Sequence, residues 1–125
     1  MFYGVIDCAA NRLHYSNGGQ FPFPLLFDGN HAVYLESKSL PVGLFSFADY
    51  QLHTLDLPAT FALALISDGI LETLRQPHLK DKLNYLLSLV DSTATSVESL
   101  ARQLNLDQAS TLPDDVTILL ITRRN

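Results

Sequence analysis

Phe61-Ala62-Leu63-Ala64-Leu65-Ile66-Ser67-Asp68-Gly69 is the stretch whose reading decides the fold. Six apolar residues follow one another without a polar break, and Ser-Asp-Gly then supplies turn chemistry. A half-buried strand would alternate, so this one is expected to be covered on both faces. It is far short of the ~20 residues a membrane helix needs.

Upstream, the chain reads as short strands separated by turns. Leu13 and Tyr15 alternate with Arg12, His14 and Ser16, the period of two of a half-buried strand, and Met1 to Asp7, apolar on both faces, reads as a more central one. Cys8 to Asn11 turns the first into the second. Asn17-Gly18-Gly19 offers positive-φ positions, Leu25-Leu26-Phe27 is a short strand, and Asp28-Gly29-Asn30 leads into His31 to Glu36, giving the pattern of a meander. A loop from Ser37 to Phe47 and a strand from Tyr50 to Asp56 complete this half.

Downstream, the period changes. Leu79, Leu83, Leu86, Leu87 and Val90 recur at helical spacing, and Val97, Leu100, Ala101 and Leu104 repeat the stripe behind a capping box from Thr95 to Glu98. Pro113-Asp114-Asp115 then leads into a last strand, Val116 to Thr122. Many strands, two helices and one strand, without βαβ alternation, predict an α+β fold with a mainly antiparallel sheet. No linker or internal repeat divides residues 1–125, so one domain is expected. Met1 stands directly against Phe2-Tyr3-Gly4-Val5-Ile6, and a chain that opens inside an apolar strand is expected to be part of a larger domain.

Composition narrows the function. The 125 residues carry 8 basic and 13 acidic side chains, a net charge of −5. With no basic run, nucleic acid and anionic membrane surfaces are excluded as expected partners. The N-terminus lacks a positively charged leader and Asp7 interrupts its apolar stretch, so no secretory signal is read. Cys8 stands alone without a Cys/His cluster, which fits a reducing, cytoplasmic compartment.

The chemistry is expected at two acidic sites, each at the end of an apolar strand. Asp68 follows Phe61 to Ile66; Asp114 and Asp115 precede Val116 to Thr122. If the two strands are antiparallel neighbours, the carboxylates meet at one edge and suit a hard divalent cation, Mg²⁺ or Mn²⁺, which takes one or two carboxylates and leaves positions for phosphate. The plainer readings stand beside this one: Asp68 as an ordinary turn residue or the cap of a helix near Ile70, and Asp114-Asp115 as a solvated loop. His14, His31, His53 and His78 lack metal-like spacing and read as structural. Ser67 lacks the G-x-S-x-G setting of a hydrolase nucleophile, Gly18-Gly19 lacks the rest of a phosphate loop, and nothing marks Cys8 as a nucleophile.

Several segments, in order, resemble the C-terminal half of the SpoIIE/RsbU-type serine/threonine phosphatases, a branch of the PP2C-like metal-dependent class. They are Met1 to Asp7; Leu13-His14-Tyr15-Ser16-Asn17-Gly18-Gly19 with Pro22 and Pro24-Leu25-Leu26; Leu40-Pro41-Val42-Gly43-Leu44; Ser67-Asp68-Gly69-Ile70-Leu71-Glu72; and Asp114-Asp115-Val116-Thr117. The resemblance implies a β-sandwich flanked by helices and a centre of two Mn²⁺ or Mg²⁺ ions, with Asp68 and Asp114 as metal ligands and Asp115 a weaker candidate. It implies direct hydrolysis of phosphoserine or phosphothreonine proteins, such as anti-sigma-factor antagonists, under the control of an upstream sensor or receiver domain. The family's G-D-x-x-D motif, which supplies further ligands, is absent from these residues. Gly19-Gln20 stands where Gly-His is usual, Thr60 where an acid is usual, and the Phe-Gly expected after Glu72 is missing. The alternative expectation is a catalytically silent phosphatase-like module that binds a regulatory partner, and a third is a structural domain with acidic turns. Half a sandwich exposing its apolar face is also expected to dimerise, to aggregate or to retain a complementary fragment.

Overall fold

The computed structural model describes residues 1–93, 96–106 and 114–124. Among the described residues seven strands and three helices follow in order: β1 (Phe2–Asp7), β2 (Arg12–Asn17), β3 (Leu25–Phe27), β4 (Ala32–Tyr34), β5 (His53–Asp56), β6 (Phe61–Ile66), α1 (Ile70–Thr73), α2 (Leu79–Thr93), α3 (Val97–Gln103) and β7 (Ile118–Arg123). The strands form two sheets, β1-β2-β5 and β4-β3-β6-β7, in which every pairing is antiparallel. Among the described residues no helix is long and apolar enough to cross a membrane.

The decisive strand, β6, sits inside the larger sheet between β3 and β7. Its two faces serve two cores, which is why it shows no alternation. Phe61 and Leu63 pack with Leu13, Tyr15, Leu26, Leu35 and Leu57 between the sheets. Ala62, Ala64 and Ile66 face the other way, against Ile70, Leu86, Val90 and Leu100 of the helices. Side chains alternate across a strand, so bulky residues fill the gap between sheets while alanines admit the helices closely. The result is a sandwich with its helices on the outer face of the larger sheet.

The meander expectation fails at the β2–β3 connection. β2 pairs with β1 and β5, whereas β3 pairs with β4 and β6, so the chain changes sheets between residues 17 and 25. Pro22 and Pro24 lie in this crossing, and a residue without an N–H cannot donate to a continuing ladder. β1 is likewise an edge strand rather than a central one. Tyr3 and Val5 are 66% and 50% exposed on the face that no other layer covers.

Side-chain turn chemistry trims several expected elements. The Asp28 carboxylate accepts the N–H groups of both Asn30 (2.8 Å) and His31 (2.8 Å), extending the turn so that β4 starts only at Ala32. Tyr50 donates its hydroxyl to the Pro41 carbonyl (3.1 Å), belonging to the preceding loop, and β5 begins at His53. α3 is capped by Ser96, whose hydroxyl accepts the Ser99 N–H at 3.1 Å. The Thr95 of the expected capping box lies outside the described residues. His53 is packed, stacked on Tyr15 at 5.1 Å and bonded through Nε2 to the Ser37 hydroxyl at 3.0 Å.

Candidate metal centre

The two acidic segments meet. β6 and β7 are antiparallel neighbours with Ile66 opposite Ile118, so the C-terminal end of one lies beside the start of the other. One further rung joins them beyond the strands: Ser67 N–H donates to the Thr117 carbonyl at 2.9 Å. The return bond is made differently, because the Ser67 carbonyl has turned away to accept the Ile70 N–H at 3.2 Å and begin α1. The Ser67 hydroxyl takes its place and accepts the Thr117 N–H at 2.8 Å. A hydroxyl residue here thus lets the chain leave the sheet without orphaning a ladder donor.

Gly69 brings the backbones closer still. A Cβ at this position would overlap the carbonyl oxygen of Asp115 and stand 3.4 Å from Asp114 Cβ. Its φ of −54° and ψ of −25° are ordinary helical values, so the glycine serves close approach rather than an unusual backbone conformation. Asp68 and Asp114 therefore flank one contact, both exposed, at the same end of the sandwich. The Asp114 carboxylate accepts the N–H of Asp115 at 2.8 Å, and Asp115 also presents an exposed carboxylate. Asp68 is not the helix cap: Gly69 holds that position, and no side chain makes a capping bond.

Exposed carboxylates on two touching turns offer hard oxygen donors with room for water and phosphate, which fits Mn²⁺ or Mg²⁺ better than a site of imidazole or thiolate. Among the described residues no group of three or more His, Cys, Asp or Glu stands ready for a metal. The other sequence candidates lie elsewhere. Cys8 is exposed at the far end of β1, and His14 bonds the Thr54 hydroxyl (3.1 Å) on the outer face of the smaller sheet.

Two residues named in the sequence, Ser67 and Gln20, were given no role at this edge. The Gln20 side chain donates from Nε2 to the carbonyl of Ile66 at 3.1 Å, immediately before the Ser67-Asp68-Gly69 turn. A hydroxyl directly after an all-apolar strand was the available signal for Ser67. Gln20 was marked only as a departure from the family's Gly-His, and its partner lies 46 positions away.

Comparison with known proteins follows the same segments. The family model described as Stage II sporulation protein E (SpoIIE) matches residues 1–124. No curated protein matches at a significant level. The phosphatase domain of the cell fate determinant SpoIIE from Bacillus subtilis, presoaked with Mn, superposes with a TM-score of 0.73 at 16% identity, covering 98% of this chain and 56% of that one. The RsbU and RsbW domains of a Mycobacterium tuberculosis protein give a TM-score of 0.76 at 25% identity, covering 98% of this chain and 35% of that one. A third structure, the Bacillus subtilis SpoIIE PP2C phosphatase domain with a fragment of its regulatory domain, gives 0.77 at 18% identity, with 97% and 36% covered. The chain thus spans about half or less of the length of these structures. It belongs to the SpoIIE family, and its fold is the PP2C-type α+β sandwich of the SpoIIE and RsbU phosphatase domains.

Proposed function

We propose that residues 1–125 form the C-terminal portion of a metal-dependent serine/threonine protein phosphatase domain, in which Asp68 and Asp114 are metal ligands. The observation that carries this reading is the contact of the Ser67-Asp68-Gly69 turn with Asp114-Asp115, made by the antiparallel pairing of β6 and β7. Mn²⁺ or Mg²⁺ bound there supplies Lewis-acid chemistry at a phosphoryl group. This chain contributes two carboxylates, held on turns that the Ser67 and Thr117 hydrogen bonds tie together. Ligands beyond these come from the remainder of the domain.

The substrate is a phosphoserine or phosphothreonine protein of bacterial signalling, with an anti-sigma-factor antagonist as the expected type. The setting is cytoplasmic, and an upstream sensor or receiver domain provides the input. A second reading, a silent module that binds a regulatory partner through the same edge, is favoured by the departures from the family pattern at Gln20 and Thr60.

The test is hydrolysis of an aryl phosphate by the longest natural polypeptide carrying these residues, with Asp68→Asn as control. Turnover that requires Mn²⁺ and disappears in the variant supports the phosphatase. A folded polypeptide without turnover moves the assignment to the partner-binding module.

A further inference from the structure

We propose that Gln20 is a positioning residue for Asp68, acting through the backbone of Ile66; the proposal rests on the metal-site reading above. Leu25, the first residue of β3, lies opposite Ala64, so Ile66 extends past the start of β3. Backbone groups of successive strand residues point to opposite sides, and Ser67 N–H bonds Thr117 on the β7 side. The Ile66 carbonyl consequently points to the side that β3 has vacated. Ile66 is only 3% exposed, and a buried carbonyl in that position needs a donor. Pairing of β3 with β6 begins only at Leu25, so no rung of that ladder reaches Ile66. The amide of Gln20 supplies the bond.

Gln20 is itself fixed from the other side. The buried Asn17 accepts the Gln20 N–H through Oδ1 at 2.8 Å and donates from Nδ2 to the carbonyls of Gln20 (3.2 Å) and Ser37 (3.3 Å). A continuous path of hydrogen bonds runs from the end of β2, in one sheet, to the residue two before Asp68 in the other. Metal-holding side chains need support of this kind, since a ligand on an unsupported turn spreads over several geometries. The path gives the glycine-rich turn after β2 a function at the acidic edge, although none of its side chains carries charge.

The test uses the longest natural polypeptide carrying these residues, ¹⁵N-labelled, as wild type, Gln20→Met and Gln20→His. Methionine keeps the length of the side chain and removes the donor; histidine restores a ring N–H. Two readouts are taken by NMR: hydrogen exchange at the Ile70 and Leu71 amides, which close the turn, and broadening of the Asp68, Gly69 and Asp115 amides by added Mn²⁺. Gln20→Met is expected to raise the Mn²⁺ concentration for half-broadening roughly tenfold, a typical effect of losing an outer support of a metal ligand. It should speed exchange at Ile70 and Leu71 but not at Leu13, and Gln20→His should recover both. Unchanged Mn²⁺ response in Gln20→Met, with or without faster exchange, overturns the positioning role while leaving the metal site standing. A wild type that shows no Mn²⁺ broadening at Asp68 up to millimolar metal overturns the metal site, and this proposal with it.

Discussion

Gly69→Ala sets two effects of opposite sign against each other at the centre of the acidic edge. The backbone there is helical, φ −54° and ψ −25°, so alanine fits without strain. At such positions it normally stabilises by about 0.4–1 kcal/mol, by restricting the unfolded chain. Against this stands the new methyl group, which overlaps the Asp115 carbonyl oxygen and lies 3.0 Å from the Asp115 carbonyl carbon. The obstacle is backbone and cannot rotate aside. Both turns are held by the Ser67–Thr117 bonds, so relief requires parting them, and overpacking of this kind costs about 1–3 kcal/mol. The clash wins, leaving a net loss of about 1–2 kcal/mol and a fall in Tm of roughly 3–8 °C for a domain of this size. Urea unfolding followed by circular dichroism measures it. An alanine variant as stable as the wild type, or more stable, would refute the contact between the two turns on which the site is built.

Other consequences follow from individual bonds. Ser67→Ala removes the acceptor of the solvent-exposed Thr117 N–H and should cost about 0.5–1.5 kcal/mol in the same assay, the net worth of one hydrogen bond; no measurable loss would mean that water replaces it fully. The backbone N–H groups of His31 and then Asn30 hold the Asp28 carboxyl below the ordinary carboxylate range. With its folded pKa depressed, Asp28 contributes stability that is complete above its unfolded value of about 3.9 and lost as pH falls through the folded one. NMR titration should place its midpoint below that of an unfolded-chain aspartate, and a midpoint at or above it contradicts the turn geometry. A cavity of about 210 Å³, lined by Phe2, Ile6, Leu63, Leu65, Leu119 and Ile121, lies between β1 and β7, the edge strands of the two sheets among the described residues, with Leu119 52% exposed. Sedimentation of the 125-residue chain should accordingly show a mass that rises with concentration, reduced in Leu119→Glu. A dilution-insensitive monomer would count against that surface being sticky.

What the sequence disclosed and what it hid separate along a physical line. β6 was legible because burial on two faces removes alternation, β2 because burial on one face creates it, and α2 and α3 because their stripes recur every three to four residues. The meeting of Asp68 with Asp114 was legible as a conditional: it required β6 and β7 to be antiparallel neighbours, which they are. The division into two sheets was legible only through the family resemblance, which implied a β-sandwich, and not in the apolar spacing, which read as a meander. It depends on which strand each edge meets after the Gly18 to Pro24 crossing, a choice made by packing between segments distant in sequence. β1 misled because its composition suits a covered strand, whereas Tyr3 and Val5 face solvent. The role of Gln20 was hidden, although the residue stood out as a departure from Gly-His, because a single side-chain bond across 46 residues leaves no pattern in spacing or hydropathy.

The central claim is that Asp68 and Asp114 hold the same metal assembly, and a double-mutant cycle in Mn²⁺ affinity tests it most directly. Calorimetric titration of the longest natural polypeptide carrying these residues, as wild type, Asp68→Asn, Asp114→Asn and the double variant, closes the cycle. Two ligands of one assembly predict that each single change weakens binding at least tenfold, and that the second change costs much less once the first is made. Losses that simply add, or affinities unchanged in both single variants, would contradict the claim.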